Sequence, residues 1–520
     1  MGSVIYLSAK EAANLITNDS FIASGGFVGT GVPEEILLEI ENKFLKEGSP
    51  KNIGLIYSAG QGDGKDKGLN HLGHEGLVTN IIGGHWGLSP KLGVLANENK
   101  LKGYNLPQGV ISHMFRDAAA GKPGTLTHVG LGTFVDPDVE GGKINKITTE
   151  DIVHKIKIKE KDYLLYDLPK MDFAILRGTS ADENGNISFE KEALTLENLS
   201  IAMAVKNNGG TVIVQVERKV KSGTINPQLV KIPGVFVDVV VVVEDMKNHM
   251  QSFAEEFNEL YVTNGIKVSE VKKDFPLTER KIIARRSAML LNSNFKTLNY
   301  GIGMPEGVAQ ILNEEGQEDH FIPTVEPGAI GGTPAGGLSF GCAMSPEAII
   351  DQPYQFDFYD GGGLDMAFLG LAQCDSEGNV NVSKFGPKIA GCGGFINITQ
   401  NAKEVVFCGT FKAGGLKLAV ENGELKILKE GKFSKFLSHV EQITFSGKLA
   451  SSNGRKITYV TERAVFELKT EGLVLIEIAP GINLENDILD QMDFKPIISK
   501  DLKTMDARIF KEDLMGLDFN

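Results

Sequence analysis

Thr324-Val325-Glu326-Pro327-Gly328-Ala329-Ile330-Gly331-Gly332 runs from the end of an apolar stretch, Phe321 to Val325, through one carboxylate into a glycine-rich turn. An apolar run that stops at a polar residue and a glycine cluster predicts a strand ending in a loop. In open α/β sheets, ligands bind where strands end and loops begin. Glycines at such a point let backbone N–H groups approach a substrate and gather into an anion-binding nest. A carboxylate beside a nest suits covalent acyl chemistry, with Glu326 as nucleophile and the N–H groups of Gly331 and Gly332 holding an oxyanion. A strand-terminal Glu that caps the next helix is the other reading of the same residues.

The surrounding sequence separates the two. Asn299-Tyr300-Gly301-Ile302-Gly303-Met304-Pro305 precedes the stretch and Thr333-Pro334-Ala335-Gly336-Gly337-Leu338-Ser339-Phe340-Gly341 follows it. Tyr359-Asp360-Gly361-Gly362-Gly363-Leu364-Asp365 and Gly391-Cys392-Gly393-Gly394-Phe395 come later. The first half carries Gly83-Gly84-His85-Trp86-Gly87, Tyr104-Asn105-Leu106-Pro107-Gln108-Gly109, His113-Met114-Phe115-Arg116, Gly121-Lys122-Pro123-Gly124 and Thr133-Phe134-Val135-Asp136-Pro137. In this order, over nearly the whole chain, these motifs resemble the family I coenzyme A transferases. The resemblance is to the short-chain acyl-CoA:acetate (acetate or propionate) branch, in which both halves are fused in one chain.

Composition agrees with a soluble enzyme of more than one core. The chain has 520 residues, with 42% hydrophobic and 23% charged, and single cores stop growing near ~250–300 residues. A net charge of −14 argues against a nucleic-acid partner, so an anionic ligand needs local cations or N–H nests. Cys342, Cys374, Cys392 and Cys408 show no C-x-x-C spacing and read as reduced thiols of a cytoplasmic protein. The longest apolar run, Val235–Val243, is broken by Asp238 and is too short to span a membrane.

The chain repeats itself. Asp182-Glu183-Asn184-Gly185-Asn186-Ile187-Ser188 returns as Asp375-Ser376-Glu377-Gly378-Asn379-Val380-Asn381, with Gly378 lying 193 positions after Gly185. At the same offset Thr211-Val212-Ile213-Val214 is answered by Glu404-Val405-Val406-Phe407. Helix-start signals at Gly29–Glu35 and Gly301–Glu306 place a proline just inside each helix, with glutamate in its first turn. Their wider spacing puts insertions in the first half, at Gly60–Gly76 and His128–Lys161. Strand and helix patterns alternate in both halves. The expectation is α/β: two duplicated open α/β domains with mostly parallel sheets, a CoA-transferase-like fold. The domains expected are 1–275 (α-subunit-like) and 276–520 (β-subunit-like, carrying Glu326). Val268–Phe275 forms the boundary, and a helix follows from Pro276 through Leu290.

The resemblance implies CoA transfer between a short-chain acyl-CoA and a carboxylate such as acetate, by ping-pong chemistry through a glutamyl-CoA thioester on Glu326. A carboxylate of ordinary pKa is ionised at pH 7 and needs no base. Gln108 is implied as an oxyanion donor from the first half, so that the site draws on both domains. Gly391–Phe395 reads as the CoA-contacting loop, with Gly393, Gly394 and Phe395 in it. At the repeat offset the first half has Asn198-Leu199-Ser200-Ile201-Ala202, with no glycine. Lys388, with Lys384, stands near for CoA phosphates. Asn299 either orients the substrate carboxylate or caps a helix, and Trp86 either lines the acyl pocket or fills a core. His71-Leu72-Gly73-His74-Glu75 lacks a ligand set for a metal and reads as a loop. Coenzyme A is expected as substrate, with no tightly bound cofactor, no metal and no membrane partner, and the resemblance implies a homo-oligomer. A thioesterase on the same scaffold and a nicotinamide-dependent or nucleotide-binding α/β protein are the competing readings, though no G-x-G-x-x-G follows a strand with an acid some twenty residues on.

Overall fold

Strands buried on both faces need apolar residues at consecutive positions, and the first sheet is built from such runs. A computed structural model describes residues 4–265 and 275–519. The described residues gather into two compact units. One draws on Met1–Lys267, Val325–Asp357 and Gly386–Asn397, the other on Val268–Thr324, Phe358–Phe385 and Ile398–Asn520. Two stretches of the second half of the sequence, the one with Glu326 and the one with the Gly391–Phe395 loop, therefore belong to the first unit. Of the expected boundary, 268–274 lies outside the described residues.

The first unit holds an eight-stranded parallel sheet in the order Ile5–Leu7, Val239–Val242, Thr211–Val216, Phe173–Arg177, Phe21–Ser24, Ile53–Tyr57, Val78–Gly83, Lys102–Asn105. Successive side chains enter opposite cores. Ala23, Ile56, Ile82, Val214 and Val240 pack on one face with helices Gln108–Ala119 and Asn198–Asn207. Ile22, Leu55, Ile81, Ile213 and Val239 pack on the other with Glu34–Glu47 and Pro90–Asn97. The Val235–Val243 run is one of these two-faced strands, not a membrane segment, and among the described residues no helix is long and apolar enough to cross a membrane. Within 128–161, strand Val153–Ile158 pairs with Lys161–Asp167, which also pairs with Gly124–Thr127.

In the second unit the strands run in the order Ile322–Thr324, Thr297–Tyr300, Met366–Gly370, Glu404–Cys408, Lys456–Val460, Ala464–Lys469, Gly472–Ile478, Ile497–Thr504. The first five are parallel, followed by two antiparallel pairings and a parallel one. Helix Glu279–Ala288 fills the region expected to be helical. Both helix starts read from sequence are present, at Glu34 and Glu306, but Pro33 and Pro305 occupy the capping position, one residue before the first helical turn.

The repeat is visible in the pairing register. Thr211 faces Phe173 in the first unit and Glu404 faces Met366 in the second, each position 193 residues after its counterpart. The turns match too. Asp182 Oδ1 accepts from the N–H groups of Asn184 and Asn186 while Asn186 Nδ2 donates to Oδ2; Asp375 does the same with Glu377, Asn379 and Asn379 Nδ2. Both aspartates are buried. Removing either acceptor leaves backbone donors unpaired, at about 1–3 kcal/mol. Asp182→Ala and Asp375→Ala should each lower the denaturant midpoint by a similar amount. Measuring both tests the equivalence, and a loss in only one copy would refute it.

Candidate functional site

The Glu326 carboxylate sits at the tip of a tight turn. The Val325 N–H donates to Ala329 O at 2.9 Å and the Gly328 N–H to Val325 O at 3.0 Å, which leaves Glu326 and Pro327 at the apex. The strand that leaves the turn, Ala329–Ile330, pairs antiparallel with Ala348–Ile349. Glu326 is 8% exposed, and its Oε2 is buried without a hydrogen-bond partner. Burial pushes its pKa up to about 7, against a smaller lowering by its own backbone N–H. A carboxylate of ordinary pKa, expected from sequence, is thus replaced by one that titrates near neutrality.

Two glycines bring it close to the rest of the first unit. A Cβ on Gly394 would lie 3.0 Å from Glu326 Cγ, and a Cβ on Gly393 would lie 3.7 Å from Gln108 Oε1. The loop therefore runs between Glu326 and Gln108, with bare backbone facing each. Gln108 opens helix Gln108–Ala119, and its N–H donates to Gly393 O at 2.9 Å. The next residue, Gly109, donates its N–H to Asn397 Oδ1 at 3.1 Å. The fully buried Phe356 ring packs against both Gly109 and Gly394. The same face of the helix is held further along by Asp357, which meets His113 Nε2 at 3.1 Å and pairs with Arg116. Burial alone would raise the Asp357 pKa, but the bonds from His113 and Arg116 bring it down to about 2.

The loop itself is laced to the carboxyl ends of the parallel strands, where α/β proteins place their ligands. The Trp86 and Gly87 N–H groups donate to Ala390 O at 2.8 and 2.9 Å, and the Gly393 N–H to Gly84 O at 2.7 Å. Asn105 joins three pieces. Its Nδ2 donates to Gly83 O and Gly84 O at 2.9 and 2.7 Å, and its Oδ1 accepts from the Cys392 N–H at 3.0 Å. A Cβ on Gly391 would fall 2.8 Å from His85 Cα, so this glycine is required by packing as well as by its positive φ of 85°. Cys392 is buried, and burial raises its thiol pKa, which leaves it unreactive.

The other residues singled out from sequence fall elsewhere. Gly331 and Gly332 turn the chain, and the atoms closest to where their side chains would stand belong to Glu347 and to the Met344–Ser345 backbone, not to Glu326. Trp86 is fully buried among aliphatic side chains, with Nε1 donating to Gly83 O at 3.3 Å, which makes it a core residue rather than the wall of an open pocket. Phe395 opens helix Phe395–Asn401 at 9% exposure. Lys388 is exposed in strand Lys388–Ile389, and its charge, after burial, helps hold the His85 pKa down at about 4. Asn299 lies inside strand Thr297–Tyr300 of the second unit and donates to Thr324 O at 3.1 Å, so it caps no helix. His71 and His74 are taken up by Glu34 and Glu41 at 2.5–3.0 Å.

Sequence reasoning missed the polar residues behind Gln108. Gln108 Nε2 donates to Gln352 Oε1 at 3.3 Å, Gln352 Nε2 to Ser58 Oγ at 2.9 Å, and Ser58 Oγ to Glu197 Oε1. Ser58 directly follows strand Ile53–Tyr57, a ligand-side position that could have drawn attention. Glu197 is one residue ahead of the segment set against the glycine loop in the repeat.

A family model described as Coenzyme A transferase matches residues 6–243. Over 518 residues the chain is 47% identical to the caffeate CoA-transferase of Acetobacterium woodii, covering 99% of this chain and 98% of that protein. It is 43% identical to the acetate CoA-transferase YdiF of Escherichia coli (strain K12), covering 99% and 97%. Its fold matches a crystal structure of the acyl-CoA transferase YdiF of E. coli O157:H7 as a thioester complex with CoA, with a TM-score of 0.93, 42% identity, and coverage of 100% of this chain and 98% of that one.

The raised pKa of Glu326 carries a stability consequence. Its folded value, about 7, lies above the ordinary 4.5, so its contribution is fully present below pH 4.5 and is lost as pH rises through 7. Glu326→Gln removes the buried charge. The variant should unfold at a higher temperature than the unchanged protein at pH 8, by up to about 3 kcal/mol, and the difference should vanish below pH 4.5. Equal melting temperatures at pH 8 would show that the ionised carboxylate is not strained by burial.

Proposed function

The chain belongs to the coenzyme A transferase family, and from that premise we propose that it moves CoA from a short-chain acyl-CoA to acetate or a similar carboxylate through a thioester on Glu326. What supports the reading is the single arrangement in which the Gly393–Gly394 backbone lies against Glu326 on one side and Gln108 on the other, together with a relative whose crystal structure is a thioester complex with CoA.

The ionised Glu326 attacks the thioester carbonyl. A carbon–oxygen bond forms, the carbon–sulfur bond breaks, and CoA leaves as thiolate, giving a mixed anhydride. The thiolate then attacks the glutamyl carbonyl, the anhydride bond breaks, and the acyl group departs as its carboxylate. An incoming carboxylate runs the same steps backwards. Each step passes through a tetrahedral oxyanion, for which we assign the Gln108 carboxamide and the Gly394 N–H as donors. The N–H groups of Gly331 and Gly332, two residues beyond the turn that holds Glu326, are the further donors of this reading. Burial helps the first step, because Glu326 Oε2 has no hydrogen bond to give up before attack.

We further assign Phe395 and Lys388 to the CoA-binding face and Asn299 to the carboxylate substrate. The duplicated halves are taken as 1–275 and 276–520, working in a homo-oligomer. A cytoplasmic location is part of the same reading, supported by four buried cysteines that form no disulfide.

Incubation with acetyl-CoA should add the mass of CoA to a peptide containing Glu326, and borohydride should remove it. Glu326→Ala should lose this adduct and acetate-dependent turnover by several orders of magnitude; near-normal turnover would sink the mechanism. Because the attacking form is the carboxylate, kcat/KM for acyl-CoA should fall as pH drops through about 7. Free thiol released from acyl-CoA with acetate omitted, at a rate near that of transfer, would instead indicate a thioesterase.

For the second donor, Gln108→Ala should lower kcat by ~10²–10³ with little change in KM, the usual cost of one oxyanion donor. A variant altered only in KM would place Gln108 in substrate binding.

A further inference from the structure

Gln108, Gln352, Ser58 and Glu197 form one hydrogen-bonded line, and each member is at least 96% buried. Water is thus excluded as an alternative partner for the bonds along it. An amide side chain has a donor end and an acceptor end, so such a line has a direction. An ionised carboxylate can only accept. With Glu197 ionised, Ser58 must spend its one proton on Glu197 Oε1 and must accept from Gln352 Nε2. That places Gln352 Oε1 toward Gln108, where it accepts from Gln108 Nε2. The second hydrogen on Gln108 Nε2 is then available for an oxyanion. If the line ran the other way, Gln108 would present Oε1 to Gln352 and its amide would be turned over, with Nε2 in the place that Oε1 now takes beside Gly393.

We propose that Glu197 is a positioning residue that acts through Ser58 and Gln352 to fix which way the Gln108 carboxamide faces. The proposal rests on the reading of Gln108 as an oxyanion donor. Glu197 touches neither substrate nor the reacting atoms. Its role is to be the acceptor-only end of the line, anchored just ahead of helix Asn198–Asn207.

A protonated Glu197 can donate as well as accept, and the direction of the line is then no longer set. Burial raises the Glu197 pKa to about 7, with the Ser58 bond and its own backbone N–H opposing this and the Asp351 charge adding to it. Asp351 directly precedes helix Gln352–Asp360, and the Gln352 N–H donates to Leu196 O at 3.0 Å. Both segments that flank Glu197 are thereby tied together, and Glu197 Oε2 remains buried without a partner.

The test uses the full-length protein and propionyl-CoA with acetate, a pair whose transfer gives distinguishable products. Glu197→Gln replaces the acceptor-only end by one that can also donate, at nearly constant volume. It should lower kcat by about 10- to 100-fold, the range a misplaced reacting group allows, with KM for propionyl-CoA essentially unchanged. In a Gln108→Ala background the same substitution should have no further effect, since its only route to the reaction is gone. The acid limb of log kcat against pH should approach a slope of about two in the unchanged protein, where Glu326 and Glu197 must both be ionised, and about one in Glu197→Gln. A merely structural role would leave that slope alone. Ser58→Ala cuts the line in the middle and serves as the second variant if Glu197→Gln melts early; it should give the same loss of kcat and the same masking by Gln108→Ala. Additive losses in the double variants, or an unchanged slope, would overturn the proposal. A protein that turns over without forming a CoA adduct on Glu326 would overturn the parent reading, a result distinguishable because it appears in the unsubstituted chain.

Discussion

A carboxylate oxygen with no hydrogen-bond partner, shut away from water, is the constraint around which the first unit is arranged. Glu326 Oε2 is such an atom. It persists only because the surrounding backbone is held too tightly to let solvent in or to turn a donor toward it. The Asn105 side chain does much of this holding by joining Gly83, Gly84 and Cys392. Gly391 and Gly394 allow the loop to lie at van der Waals distance from the strand ends and from Glu326. The parallel sheet beneath, buried on both faces, gives these strand ends fixed positions. Removing Asn105 would therefore affect Glu326 without touching it.

A second buried carboxylate, Glu197, shares the same physical condition: its pKa is raised by burial, and one oxygen has no partner. Glu192 is in the same condition, its pKa raised by burial and its Oε2 without a partner although Oε1 meets Arg177. Such groups lower folding stability at neutral pH. Strain of this kind is common where a site is built for chemistry rather than for rest. Elsewhere the unit compensates with well-paired charges, as at Asp357 with His113 and Arg116.

Much of this was legible in the sequence. The alternating patterns, the repeat of Asp182–Ser188 in Asp375–Asn381, and the helix starts before Glu34 and Glu306 depend on neighbours close in the chain, and they were read correctly apart from the one-residue shift of the prolines. The strand and turn around Glu326 were legible for the same reason. Gly331 and Gly332 signal an unusual backbone without saying what surrounds it; the space where their side chains would stand is filled by Glu347 and Met344–Ser345. The line from Gln108 to Glu197 was hidden because its links join residues 244, 294 and 139 positions apart. The strand end before Ser58 was the one local signal, and no local pattern marks Gln352. The near-neutral Glu326 was equally invisible, since burial is a property of the folded surroundings. Trp86 had two readings, and only its place among Tyr57, Ile81 and Leu92 favours the core.

The equivalent turns at Asp182 and Asp375 show that the two copies still solve the same folding problem in the same way, while the positions just before helices Asn198–Asn207 and Phe395–Asn401 have diverged. One copy has a carboxylate there, at Glu197, and the other has Ala390 followed by glycines. After a duplication, selection can preserve shared scaffold while each copy loses what the other retains. Recombination that overwrote either copy with its twin would leave both Asp turns in place. It would also erase either the carboxylate or the bare loop, so the two halves of this gene can no longer substitute for one another.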